Sequence, residues 1–232
     1  MRYWMPWTRS VTACTVGCPD LRWSELSKPR GTGLSWRERQ ERDPYVQQAR
    51  RDGWRSRAVY KLEEIDKRER LLRPGMTIVD LGAAPGSWSQ YVSKKLKGRA
   101  QIFAIDLLPM DSLPGLDFIQ GDFADDAVLN ALQQRVGDRK VDLVMSDMAP
   151  NISGNRSIDQ PRAMLLAELS LDFAQQVLGG RGDFVCKLFQ GAGFDPFLAA
   201  TRNCFERVKV NKPKASRAGS REVYLVARNY QL

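Results

Sequence analysis

Asp80-Leu81-Gly82-Ala83-Ala84-Pro85-Gly86 is the stretch that decides how this chain folds. A short apolar run, 77–81, precedes it, and a helical pattern, 87–96, follows. A strand that turns on glycines into a helix brings backbone close to a bound ligand, as in dinucleotide folds. Two residues depart from the dinucleotide fingerprint. Pro85 stands where helix N–H groups would face a diphosphate, and Asp80 sets a negative charge beside the turn. Those features suit an amino-acid moiety carrying an ammonium and a sulfonium better than a diphosphate.

Outward from this turn, strand and helix patterns alternate. Strands are predicted at 101–106, 116–120, 141–146, 183–187, 207–210 and 222–227. Helices are predicted at 125–136, 160–178 and 195–205, and another precedes the turn, where Ala58, Val59, Leu62 and Ile65 recur at helical spacing. Alternation of this kind builds βαβ units on a largely parallel sheet. Only a loop separates the last two strands, which predicts an antiparallel pair, because parallel crossovers need about a dozen residues. The expected fold is therefore α/β and Rossmann-like: a mostly parallel seven-stranded sheet, its last pair antiparallel, with helices on both faces. Residues 1–40 lack periodicity and read as a disordered tail, and 41–232 as the catalytic domain. Ligands of such folds bind at strand C-termini. Asp106 ends the second strand 20 residues past Gly86, where it suits ribose hydroxyls, and Asp122 ends the third, where it suits an adenine amino group.

Composition narrows the chemistry. The 232 residues carry 36 Lys and Arg against 27 Asp and Glu, a formal charge of +9 that points to a polyanionic partner, nucleic acid before membrane. No histidine is present, which excludes His-based triads and His-containing metal sites. Cys14, Cys18, Cys186 and Cys204 offer only one close pair, so neither a zinc site nor a disulfide framework is expected, and the thiols suit a cytoplasmic protein. No apolar run reaches the ~18 residues of a membrane span.

Asp147 ends the fourth strand, Lys187 the fifth, and Glu222 begins the last. If that strand runs antiparallel, its start lies at the same sheet edge as the other strand ends, so these side chains converge above one rim. Lys61, on the helix before the turn, can reach that rim too. Two cations and two carboxylates answer what methyl transfer to a hydroxyl requires: a base to take the proton, and groups that orient it.

From about 43 to 227 the chain resembles the FtsJ/RlmE family of ribosomal RNA 2′-O-methyltransferases. The resemblance rests on Tyr45-Val46-Gln47-Gln48-Ala49, Arg55-Ser56-Arg57-Ala58, the Asp80–Gly86 turn, Asp106-Leu107-Leu108-Pro109-Met110, Ser146-Asp147-Met148-Ala149-Pro150-Asn151 and Ser220-Arg221-Glu222-Val223-Tyr224. It implies a class I S-adenosylmethionine-dependent methyltransferase whose Lys-Asp-Lys-Glu tetrad is Lys61, Asp147, Lys187 and Glu222, with Lys187 the proton acceptor. It implies cofactor contacts at Gly86, Trp88, Asp106, Asp122 and Asp147, and no metal. It further implies a uridine in the A-loop of 23S ribosomal RNA as target, modified in the large ribosomal subunit or its precursor by a monomer. Ser87 stands where a second glycine is expected after Gly86, and a serine suits a helix start.

Basic runs flank the tetrad: Arg50, Arg51, Arg55 and Arg57 before Lys61, and Lys209, Lys212, Lys214, Arg217 and Arg221 before Glu222. Phosphates on either side of a target nucleotide would be neutralised there. Trp54 is open to stacking on a base or to helix packing. The same tetrad serves related enzymes on transfer RNA or mRNA caps, and a non-catalytic RNA-binding assembly factor is the remaining alternative. A nicotinamide-dependent oxidoreductase is disfavoured by Pro85 and by the lack of a hydride-handling site.

Overall fold

The computed structural model describes residues 41–217 and 219–231. The tail expected at 1–40 lies outside the described residues. Two short helices lead in: α1 (Pro44–Arg51), capped by Asp43, whose carboxylate accepts from the Tyr45 N–H, and α2 (Val59–Glu69). The order is then β1 (Thr77–Leu81), α3 (Ser87–Leu96), β2 (Gln101–Asp106), β3 (Leu116–Gln120), α4 (Asp126–Val136), β4 (Val141–Ser146), α5 (Arg156–Val177), β5 (Leu178–Phe189), α6 (Phe194–Cys204), β6 (Phe205–Asn211) and β7 (Glu222–Tyr230).

The strands form one seven-stranded sheet in the order β3-β2-β1-β4-β5-β7-β6. The chain reverses direction across the sheet between β1 and β4, neighbours that run parallel. A switch of this kind opens a crevice outside the strand C-termini. The last strand, β7, inserts between β5 and β6 and runs antiparallel to both. The final pair is thus antiparallel as expected, and the insertion also seats Glu222 opposite Phe189 and Tyr224 opposite Lys187.

Central strands are buried on both faces and so read as continuous apolar runs. Ile78, Val79 and Leu81 in β1 and Leu143, Val144 and Met145 in β4 are fully buried. One face packs on α4, α5 and α6 through Leu132, Leu171, Phe173 and Phe197. The other packs on α1, α2 and α3 through Ala49, Leu62, Ile65, Trp88 and Val92.

Strand β5 is longer than its apolar run. Gly179, Gly180 and Gly182 read as a loop, yet pairing with β4 extends back to Leu178, with an irregularity between Val141 and Leu143 and Arg181 in the left-handed region at φ 67°. Ladder hydrogen bonds to an existing neighbour outweigh the low strand preference of glycine. Among the described residues no helix is long and apolar enough to cross a membrane.

Candidate active site

The turn after β1 takes the conformation its glycines permit. Gly82 and Gly86 have φ of 75° and 98°. A Cβ on Gly82 would come within 2.6 Å of Met148 Cγ, so the β4 loop sits directly on this backbone. At Gly86 a Cβ would meet Arg55 Nη1 at 2.5 Å and Met110 Sδ at 2.6 Å. Asp106 holds the turn from β2: its Oδ2 accepts from the Ala84 N–H at 2.8 Å and its Oδ1 from the Leu108 N–H at 2.8 Å.

Outside these strand ends lies a cavity of about 490 Å³. Gly82, Ala84, Asp106, Asp122, Asp147 and Met148 are among its lining residues, with Leu107, Phe123 and Leu165 supplying apolar wall. Arg162 is the one cation among the lining residues. A wall of three carboxylates and one arginine repels a diphosphate. It accepts a ligand with hydroxyls, an apolar ring and positive charge. Beneath the turn, Asp80 is fully buried and its Oδ1 has no hydrogen-bond partner, while Oδ2 accepts from Ser89 Oγ at 2.6 Å. Burial, opposed by the Ser89 bond and reinforced by Asp147 and Asp106, pushes the Asp80 carboxyl up to about 7. Asp80 is not among the cavity's lining residues, so its carboxyl lies behind the turn rather than in the ligand space.

Asp147 belongs to this cavity and to a polar chain beside it. It follows β4 and is pinned by its N–H, which donates to the Leu81 carbonyl at 3.1 Å. Lys187 Nζ lies 3.0 Å from Asp147 Oδ1 and donates to the Asp147 carbonyl at 2.6 Å. Tyr224 Oη donates to Asp147 Oδ1 at 2.7 Å and accepts from Lys61 Nζ at 3.0 Å. Lys61 Nζ completes the chain with Glu222 Oε1 at 2.8 Å, and Ser216 Oγ donates to the same oxygen at 2.8 Å. The fold therefore brings Lys61, Asp147, Lys187 and Glu222 together, from α2, the β4 end, β5 and the start of β7.

The electrostatics follow from burial and pairing. Burial opposes ionisation of Asp147, but Lys187 and Lys61, with the hydrogen bond from Tyr224, outweigh it and hold the carboxyl below its ordinary range. Burial raises the Tyr224 phenol well above its usual value, and Asp147 and Glu222 push it further. The phenol thus keeps its proton and can bridge a carboxylate and an ammonium at once.

Tyr224 carries no role in the sequence reading. The available signal was spacing: it lies two residues beyond Glu222 on a strand, hence on the same face. Trp88 is 2% exposed and does not line the cavity. Its indole Nε1 donates to the Ala58 carbonyl at 2.9 Å and its ring lies 5.8 Å from that of Tyr224. Gly86 is also absent from the lining and shapes the turn instead.

The basic runs are less free than their charge suggests. Arg55 donates to the carbonyls of Pro85 at 3.1 Å, Asp111 at 2.9 Å and Ser112 at 3.1 Å, clamping the turn to the β2–β3 loop. Arg57 pairs with Asp43 and donates to the Ala215 carbonyl. Lys209 pairs with Glu69 at 3.1 Å, and Arg221 donates to the Gln190 carbonyl at 3.0 Å. Trp54 packs on Tyr91, with Lys94 Nζ 4.2 Å from its ring centre, so helix packing is its role in this structure.

The family model described as FtsJ-like methyltransferase matches residues 54–230. The chain is similar to a Plasmodium falciparum protein provisionally described as a ribosomal RNA methyltransferase: 32% identical, TM-score 0.69, over 76% of this chain and 98% of that one. Human methyltransferase-like protein 13, solved with SAH, is 16% identical at a TM-score of 0.51, over 74% of this chain and 80% of that one. A Lactococcus lactis protein provisionally described as a hemolysin is likewise 16% identical at 0.56, over 77% and 89%. At 16% identity the likeness is one of fold alone.

Proposed function

Because the chain belongs to the FtsJ-like methyltransferase family, we propose that it transfers a methyl group from S-adenosylmethionine to a ribose 2′-hydroxyl of a uridine in the A-loop of 23S ribosomal RNA, acting on the large subunit or its precursor. The observation that carries this reading is Asp147. It lines the acid-walled cavity and also anchors the Lys187–Asp147–Tyr224–Lys61–Glu222 chain.

S-Adenosylmethionine fits the cavity in kind, and when bound it supplies an electrophilic methyl carbon. Asp106 and Asp122, which line the cavity, would take ribose hydroxyls and the adenine amino group. The tetrad then handles the acceptor. Lys187, in its neutral form, takes the proton of the attacking hydroxyl. Asp147 fixes the Lys187 ammonium nitrogen from two oxygens, so its position is set before substrate arrives. Lys61 and Glu222 orient the ribose, and Tyr224 ties their position to that of Asp147. Rigid strands carry most of these groups, which limits the reorganisation needed during reaction.

The test is mass spectrometry of large-subunit RNA and of assembly precursors after incubation with the protein and labelled S-adenosylmethionine. A 2′-O-methyluridine in the A-loop is expected. Methylation confined to transfer RNA or to capped RNA would replace the proposed substrate, and label on a base would overturn the 2′-hydroxyl assignment.

A further inference from the structure

A second cavity, of about 280 Å³, adjoins the tetrad through Lys61 and Glu222, whereas the first adjoins it through Asp147. Ser56, Arg57, Arg217 and Ser220 form the rest of its polar wall. Its charges do not balance. Asp43 pairs with Arg57 and lies 3.9 Å from Arg217 Nε, so one carboxylate serves two guanidiniums. Glu222 already receives Lys61 and Ser216. Three cations thus face two carboxylates. The excess is felt at Arg57, where burial first and Arg217 second disfavour the charged form. Helix α2 opens at the same place, with no side-chain cap at Ala58 and no acid in its first turn, so its dipole adds positive potential. Ser220 Oγ accepts from the Glu222 N–H and keeps its own proton to donate.

We infer that this cavity holds the phosphate on the 3′ side of the methylated nucleotide, with Arg57 as its buried cation and Arg217 as its exposed one. The inference rests on the ribose reading above. With the 2′-hydroxyl at the tetrad, the 3′ phosphate is the nearer of the two, joined through C2′, C3′ and O3′, while the 5′ phosphate lies across the ring. Lys61 and Glu222 border both the tetrad and this cavity, so a sugar oriented by them delivers its 3′ phosphate into the basic wall. The site selects an internal nucleotide, one that has a phosphodiester on its 3′ side, over a 3′-terminal one.

A substitution cycle tests it. Large-subunit RNA is assembled by splinted ligation with either a natural or a neutral methylphosphonate linkage 3′ to the target. Single-turnover methyl transfer is measured for the native protein and for Arg217→Ala, an exposed position. Each single change should slow transfer about 10- to 100-fold, the range for one charged hydrogen bond. The two together should cost little more than either alone, because both remove the same contact. Multiplying losses, or a harmless single change, overturn the subsite. Native protein that methylates no ribose on natural RNA removes the parent reading, and the subsite with it.

Discussion

Replacing Lys187 separates chemistry from stability. Its side chain is 8% exposed and holds Asp147 through two contacts, 2.6 Å to the carbonyl and 3.0 Å to Oδ1. In Lys187→Ala the Asp147 carboxylate, 17% exposed at the cavity wall, loses its nearest cation. Breaking such a pair costs ~3–5 kcal/mol. Asp147 keeps the Tyr224 hydroxyl at 2.7 Å, so the lower end applies, about 3 kcal/mol. Loss of a general base adds a rate deficit of roughly 10²–10⁴-fold. Lys187→Arg restores the positive charge and should recover most of the stability. Its guanidinium stays charged and cannot accept the proton, so the rate should remain low. The assay is single-turnover methyl transfer with cofactor and RNA saturating, alongside denaturant unfolding of all three proteins. An arginine variant with near-native rate would refute the reasoning. Lys187 would then act by charge or position, and the proton would leave through another group.

Other substitutions probe the remaining parts. Tyr224→Phe removes the bridge between Lys61 and Asp147; single-turnover rate should fall about tenfold or more while calorimetry with S-adenosylhomocysteine shows unchanged affinity, and an unchanged rate would reduce Tyr224 to core packing. Asp106→Ala frees the Ala84 and Leu108 N–H groups and should weaken S-adenosylhomocysteine binding about 10- to 100-fold, a loss that equal affinity in the folded variant would contradict. Asp80 gives a pH signature: because its carboxyl is raised from 3.8 to about 7 in the fold, the native state binds the proton more tightly than the unfolded chain. Its contribution is therefore fully present below the unfolded value and lost as pH rises through about 7. Asp80→Asn should gain stability relative to the native protein as pH rises from about 4 to about 7, the difference levelling off above that, and unfolding curves that stay parallel across this range would show that the buried carboxyl is not titrating there.

Local pattern carried much of the architecture. The Asp80–Gly86 turn between an apolar run and a helix, followed by alternating elements, was enough for an α/β fold with its ligand site at strand ends. Asp106 and Asp122 line the cavity there because strand C-termini share one edge whatever the rest of the chain does. Resemblance supplied the role of Lys61, whose place on an amphipathic helix says nothing of its partners. Other features depend on contacts between residues distant in the chain. The insertion of β7 between β5 and β6 sets Tyr224 opposite Lys187 and within reach of Asp147 and Lys61, and spacing along one strand cannot show which strand it will face. The extension of β5 through a glycine-rich run came from the ladder offered by β4. Charge composition pointed to a polyanionic partner, but not that Arg55 would be used on three backbone carbonyls while Arg217 stays exposed beside the tetrad. A guanidinium is equally suited to carbonyls, carboxylates and phosphates, so its neighbours in space decide which of them it serves.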